Sequence, residues 1–191
     1  MIIASEIESL LSPWLQEITR DDWRQMVVDT WVLGCREGRW ESVEDLARMP
    51  FTLLTPTHGI TFLEHTLAVT AGAVGLYEGQ KRHYARMPYP VDRDLLVAGG
   101  LLHDVGKLLE TEPDGQGGFR QSRSGRCARH PFSGAILAGK VGCPDDLINV
   151  IACHAREGEG KPQRLETVLV HQADFATFDP LVMMASGRLI L

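Results

Sequence analysis

Apolar residues recur every three to four positions along most of this chain, and that period predicts one helix after another. Residues 5–18 and 21–36 form the first two segments, each with acids near its start. Pro13 breaks or kinks the first, and Trp14, Trp23, Trp31 and Val32 mark the packing faces of an N-terminal hairpin. Ser42 with Asp45 resembles a capping box opening a short helix that ends near Met49. After the turn-rich Thr55-Pro56-Thr57-His58-Gly59, residues 60–77 are apolar nearly all round, as in a buried central helix. Residues 91–102 are similar, and Ala98-Gly99-Gly100 would let a neighbouring backbone come close. Residues 110–125, rich in glycine and charge, predict a long exposed loop or small hairpin. Pro131 suits a helix start, and helices follow over 132–141, 144–154 and 165–178. No segment alternates convincingly with period two and no internal repeat is visible. The fold class is all-α.

A length of 191 residues suits one core, read as an N-terminal helical extension (1–54) packed on a main helical core (55–191). With 44% hydrophobic and 23% charged residues, the composition excludes a disordered or fibrous chain. No stretch approaches the roughly 18 apolar residues of a membrane span. Glu6 and Glu8 stand where a signal peptide needs positive charge and an apolar run. Cys35, Cys127, Cys143 and Cys153 form no CxxC pair, which points to a reducing, cytoplasmic setting. The terminal Ser186-Gly187-Arg188-Leu189-Ile190-Leu191 is apolar enough that it either docks or continues into a larger protein.

Charge alters the picture once it is localised. The net charge of −6 argues against a general nucleic-acid coat. Between residues 119 and 143, however, stand four arginines and one lysine with no acid, a local +5, which leaves −11 on the rest. Such an island suits either an anionic ligand or a solvated loop.

The chemistry announces itself as polar residues inside apolar helices. His103-Asp104 follows an apolar run from Leu95 to Leu102, and His65 lies within the central apolar segment. His154 shares the buried face of Leu147, Val150 and Ile151, while Asp174 sits one turn after Val170 and one before Phe178. Burying unpaired imidazoles or carboxylates costs several kcal/mol, so these groups need partners. Convergence on a divalent metal satisfies them together, because these are the ligand types such ions accept.

The histidine, His-Asp, distant aspartate order resembles the HD-domain superfamily of metal-dependent phosphohydrolases. The matching strings are Leu63-Glu64-His65-Thr66-Leu67, Leu101-Leu102-His103-Asp104-Val105-Gly106-Lys107 and His171-Gln172-Ala173-Asp174, and the resemblance spans roughly residues 57–179. A looser similarity joins the His65 segment to HD-type exoribonucleases and HD relaxases, although Gly59-Ile60-Thr61-Phe62 lacks their paired glycines.

The resemblance implies an HD-type helical bundle carrying the N-terminal hairpin as an extra. It implies that His65, His103, Asp104 and Asp174 hold one ion. Asp104 would bridge to a second held by His130 and His154, with these two histidines binding substrate instead if only one ion is present. Fe, Mn, Ni, Zn and Mg are not distinguished. The implied activity is hydrolysis of a phosphomonoester or phosphodiester through a metal-bound hydroxide, with Asp104 and Lys107 as catalytic residues and Lys107 aimed at the phosphate. Arg120, Arg123, Arg126 and Arg129 recur every third residue before His130, and of these Arg126 and Arg129 are the candidates for an anion clamp. The expected partner is an anionic small molecule or nucleotide; nucleic acid is less favoured, and an oligomer is left open. Two alternatives remain, an HD-type di-iron oxygenase and a non-catalytic HD module of a larger protein. His58, seven residues before His65, and His171 read as supporting rather than ligating, His83 as surface, and Cys127 and Cys153 as packing residues. Residues 155–162 read as a flexible charged loop at the cleft mouth.

Overall fold

The computed structural model describes residues 1–161 and 163–190, so Pro162 of the charged loop and the terminal Leu191 lie outside the described residues. Helix α1 (Ala4–Leu11) stops just before Pro13, and a 3-10 turn (Trp14–Glu17) leads into α2 (Asp21–Glu37). The hydroxyl of Ser42 accepts from the Asp45 amide to open α3 (Val43–Arg48). Thr61 and Glu64 then close a reciprocal cap on α4 (Phe62–His83). Next come α5 (Arg93–Leu102), the single turn α6 (Lys107–Glu110), strands β1 (Thr111–Pro113) and β2 (Phe119–Gln121), and the short α7 (Arg123–Cys127). Helices α8 (His130–Val141), α9 (Asp145–Cys153) and α10 (Leu165–Ala185) complete the bundle. The glycine-rich segment is therefore a hairpin, pairing Thr111 with Gln121 and Pro113 with Phe119 antiparallel.

Two helices outrun their apolar patterns. Helix α4 continues from Tyr77 to His83, and its surface is not apolar all round: Glu64, Ala68, Ala71 and Gly75 are exposed. Helix α10 continues past Phe178 through Pro180. Ile190 is exposed rather than docked.

Helices α4, α5 and α10 pack on one another at the centre, α9 packs on α5 and α10, and α8 packs on α9 and α2. Gly100 makes the α4–α5 approach feasible, since a Cβ there would stand 3.0 Å from the Thr70 Cα. Helix α2 closes another side. Trp31 is fully buried, stacks on Phe62 at 5.2 Å and donates from Nε1 to the Leu101 carbonyl at 2.9 Å. Burying so large a ring while satisfying its polar end anchors the N-terminal helices to the end of α5, next to His103.

Asp94 in the first turn of α5 fastens the same region. Its carboxylate accepts from the Thr19 amide (2.9 Å) and hydroxyl (2.8 Å), the Arg20 amide (3.0 Å) and Arg20 Nε (3.2 Å). Burial opposes the charge, but these donors outweigh it and hold the Asp94 pKa below the ordinary carboxylate range. Because the folded value lies below the unfolded one, the stabilisation is present above about pH 4 and lost as pH falls through the depressed folded value. Asp94→Ala is expected to cost about 2–3 kcal/mol at neutral pH, from hydrogen bonds to a charged acceptor. Urea unfolding at neutral and acid pH checks this: the gap between the two proteins should narrow in acid, and a pH-independent gap would refute the assignment.

Candidate metal centre

Three helix ends and the faces of two further helices deliver the polar side chains to a single point. His103 caps α5, Asp104 follows it, His130 opens α8, His154 caps α9, and His65 and Asp174 project from the paired faces of α4 and α10. His103 and His154 are fully buried, and Asp104 and His65 nearly so. The Asp104 carboxylate lies at the middle, with its two oxygens facing different histidines. Oδ2 is 3.3 Å from both His65 Nε2 and His103 Nε2, whereas Oδ1 is 3.1 Å from His130 Nε2 and 3.6 Å from His154 Nε2. Asp174 Oδ1 stands 3.1 Å from His65 Nε2.

The outer nitrogens fix which way each ring is protonated. Nδ1 of His103 faces the Gly100 carbonyl at 2.7 Å, and Nδ1 of His154 faces the Ile151 carbonyl at 2.8 Å. Nδ1 of His130 faces Glu110 Oε2 at 2.9 Å. Carbonyl and carboxylate oxygens only accept, so each of these Nδ1 atoms donates and the inward Nε2 of the neutral ring presents a lone pair. Thr177 treats His65 alike: its hydroxyl donates to the Asp174 carbonyl and so can accept from His65 Nδ1 at 3.3 Å.

This leaves His65 Nε2, His103 Nε2, His154 Nε2 and Asp104 Oδ1 buried without a hydrogen-bond partner among the described residues. Lone pairs packed against carboxylate oxygens repel unless a cation lies between them. Donors about 2.0–2.2 Å from one small cation lie about 3.0–3.5 Å from each other, close to the spacing seen. Two overlapping groups meet the requirement, His65, His103, Asp104 and Asp174, and then Asp104, His130 and His154. The residues present fit divalent metal. Without one, burial opposes charge throughout but is not always decisive. Lys107, His103 and His130 hold the Asp104 pKa well below the ordinary range, and His65 does the same for Asp174. Asp104 and Asp174 raise His65 despite its burial, while burial keeps His130 low.

Around this centre Lys107, one turn beyond His103-Asp104, places Nζ 2.5 Å from Asp104 Oδ2. Arg129 lies 2.9 Å from Glu110 and lines the cleft, whereas Arg126 is exposed and lines neither cavity beside the centre; Arg120 takes the place expected of it. His58 stands outside α4, exposed in a left-handed turn (φ 53°), so it does not face His65. His171 Nδ1 meets the His154 carbonyl at 2.6 Å, supporting the ring from behind. Cys127 is exposed and is not a packing residue. Arg156 and Glu157 line the cleft.

Three contributors carry no signal in the sequence pattern. Glu110 orients His130 from twenty residues away, Thr177 orients His65, and the Phe51 ring stacks on His65 at 4.3 Å. The spacing of Glu110 three residues after Lys107 places both on α6, but nothing local points to His130.

A family model for the HD domain matches residues 62–176, which contain all six convergent side chains. The chain belongs to the HD-domain family. Proteins named Ribonuclease Y are similar to it: that of Pseudothermotoga lettingae is 30% identical over 76% of this chain and 23% of its own length. The Thermotoga petrophila protein is 40% identical over 44% of this chain and 14% of its own, and that of Thermoanaerobacter pseudethanolicus 32% identical over 70% and 21%. The HD-domain chain thus spans less than a quarter of the length of these relatives. No solved structure matches significantly. Among the described residues no helix is long and apolar enough to cross a membrane.

Proposed function

We propose that the chain is a divalent-metal-dependent phosphohydrolase acting on a phosphoester of nucleotide type. The observation that carries this reading is the division of the Asp104 carboxylate between two histidine pairs, beside a cleft whose floor holds Lys107 and whose rim holds Arg129. His65, His103, Asp104 and Asp174 would hold one ion, and Asp104, His130 and His154 a second. Bound there, such ions supply Lewis acidity toward a phosphoryl oxygen and lower the pKa of water. The four rings, each fixed by a bond from Nδ1, keep their ligand atoms oriented and so need no rearrangement at the moment of reaction. Lys107 and Arg129 bring positive charge to the substrate phosphate, Arg129 with the planar fork suited to it. The relatives named ribonucleases favour hydrolysis over the dioxygen chemistry that the same ligand types would also serve.

Protein reconstituted with manganese, nickel, iron or magnesium is expected to hydrolyse bis(p-nitrophenyl) phosphate and to lose that activity in EDTA. Lys107→Ala should keep its metal content yet lose most turnover; wild-type rates would remove the role given to Lys107. Absence of turnover with every ion would reject the hydrolase. Glu110 provides a separate check. Its carboxylate, held below the ordinary range by His130 and Arg129 against burial, orients one ligand of the second group. Glu110→Ala should weaken binding of one manganese ion about 10- to 100-fold while sparing the other, as loss of an outer hydrogen bond to a ligating histidine does. Two unaltered sites in a calorimetric titration would count against it.

A further inference from the structure

Phe51 comes from the N-terminal extension, outside the stretch that matches the HD-domain model. Backbone contacts set its place. The Phe62 amide donates to the Met49 carbonyl at 2.7 Å and Pro50 bridges Thr61, so the segment runs against the start of α4. The side chain is 1% exposed and borders three residues of the site. It stacks on His65 with the planes at 22°, meets the Phe178 ring edge-on at 6.3 Å, and has Lys107 Nζ 5.5 Å from its centroid. Phe51 and Lys107 both line the two cavities beside the centre, of about 410 and 430 Å³.

From these contacts we propose that Phe51 is a positioning residue for Lys107, holding its ammonium available to a phosphate in the cleft against the pull of Asp104. The proposal rests on the phosphohydrolase reading and adds to it a residue of the N-terminal extension. Lys107 Nζ forms its ion pair with Asp104 Oδ2 at 2.5 Å, and Asp104 belongs to both candidate ligand groups. A lysine drawn wholly onto that carboxylate is lost to an incoming phosphate. A second attraction is needed to offset the first. An aromatic face within about 6 Å of an ammonium supplies one through the ring quadrupole, and it is stronger where both partners are shielded from water. That condition is met here, since the Lys107 side chain is only 14% exposed and the Phe51 ring is buried. Leucine would fill much of the same space but has no π-face with which to hold a cation. The ring thus links the extension to the lysine, and the HD-matched stretch alone lacks this part of the site.

The test replaces Phe51 in the full chain by monofluoro-, difluoro- and pentafluorophenylalanine, which keep the outline of the ring while draining its negative face. Manganese-loaded protein is titrated with inorganic phosphate by calorimetry, with metal content and Tm measured on the same samples. Phosphate affinity is expected to fall stepwise with fluorine number, by about 3- to 30-fold for the pentafluoro ring, at unchanged manganese content. Phe51→Leu should weaken phosphate to a similar extent. In a Lys107→Ala background the same replacements should change affinity by less than about twofold, because the group they act on is gone. A flat series would overturn the proposal. So would an undiminished trend without Lys107, which would place the effect on His65, or a phosphate affinity that Lys107→Ala leaves unaltered. Should the fluorinated chains fail to fold, Phe51→Leu and Lys107→Ala complete the same cycle: losses that add overturn the proposal, and losses that do not add support it. The two readings fail separately. Protein that turns over no phosphoester but shows the Lys107-dependent trend loses the hydrolase and keeps the role of Phe51, whereas turnover with a flat series loses only that role.

Discussion

Asp104→Asn is expected to abolish the proposed phosphodiester hydrolysis, lowering turnover by at least about 10³-fold, and to reduce bound metal from the proposed two ions per chain to one or none. The asparagine is nearly the same shape, so the fold should survive. What disappears is the carboxylate that stands within 3.6 Å of both histidine pairs. An amide offers one neutral oxygen where the carboxylate offers two charged ones, and its NH2 would point a donor at whichever pair the oxygen leaves. The loss of several kcal/mol of charge stabilisation in the transition state corresponds to the stated factor, since each 1.36 kcal/mol is tenfold. Metal analysis and phosphodiester turnover on the same sample check both parts. Two ions retained in the variant would show that Asp104 is not shared.

Gly106→Ala is expected to destabilise the protein by about 3 kcal/mol or more, the upper range for forcing atoms into a packed site. The glycine has ordinary helical dihedrals (φ −65°), so conformational freedom is not the reason for it. Space is. A Cβ at Gly106 would lie 2.1 Å from the His130 carbonyl oxygen, 2.6 Å from the Gly134 amide nitrogen and 2.6 Å from Ser133 Oγ. Two of these are backbone atoms of α8 and cannot swing aside, so α8 must retreat and take His130 with it. Gly75, exposed on α4 with nothing within 4 Å of its built Cβ, supplies the contrast: Gly75→Ala should stabilise by about 0.5–1 kcal/mol. Thermal unfolding reads both, with Gly106→Ala lowering Tm by roughly 6–12 °C for a chain of this size. An unchanged Tm would mean that α8 does not press on the His103-Asp104 turn.

The helical order was legible because burial imposes a period of 3.6, and the ligands stood out as polar residues breaking that period: His65 among Leu63 and Val69, and His103-Asp104 after Leu101-Leu102. The ends were less legible. Residues after Tyr77 carry no apolar side chain yet stay helical, and Pro180 does not stop α10. The pattern over residues 110–125 does not separate a hairpin from a loop, because three-residue strands are too short to display alternation. Glu110 and Thr177 were invisible for another reason. A residue that orients a ligand is chosen by distance in space, and Glu110 is separated from His130 by the whole hairpin and α7. Nearness to His130 in sequence favours Arg126 over Arg120, but the hairpin brings Arg120 to the cavity beside Lys107 while α7 leaves Arg126 outside both cavities.

The claim on which the functional account stands is that ions sit on both sides of Asp104. Crystals grown with manganese and measured at its absorption edge test it most directly. The account predicts two anomalous peaks, one among His65, His103, Asp104 and Asp174 and one among Asp104, His130 and His154. A map from protein saturated with manganese that shows one peak or none beside the Asp104 carboxylate would contradict it.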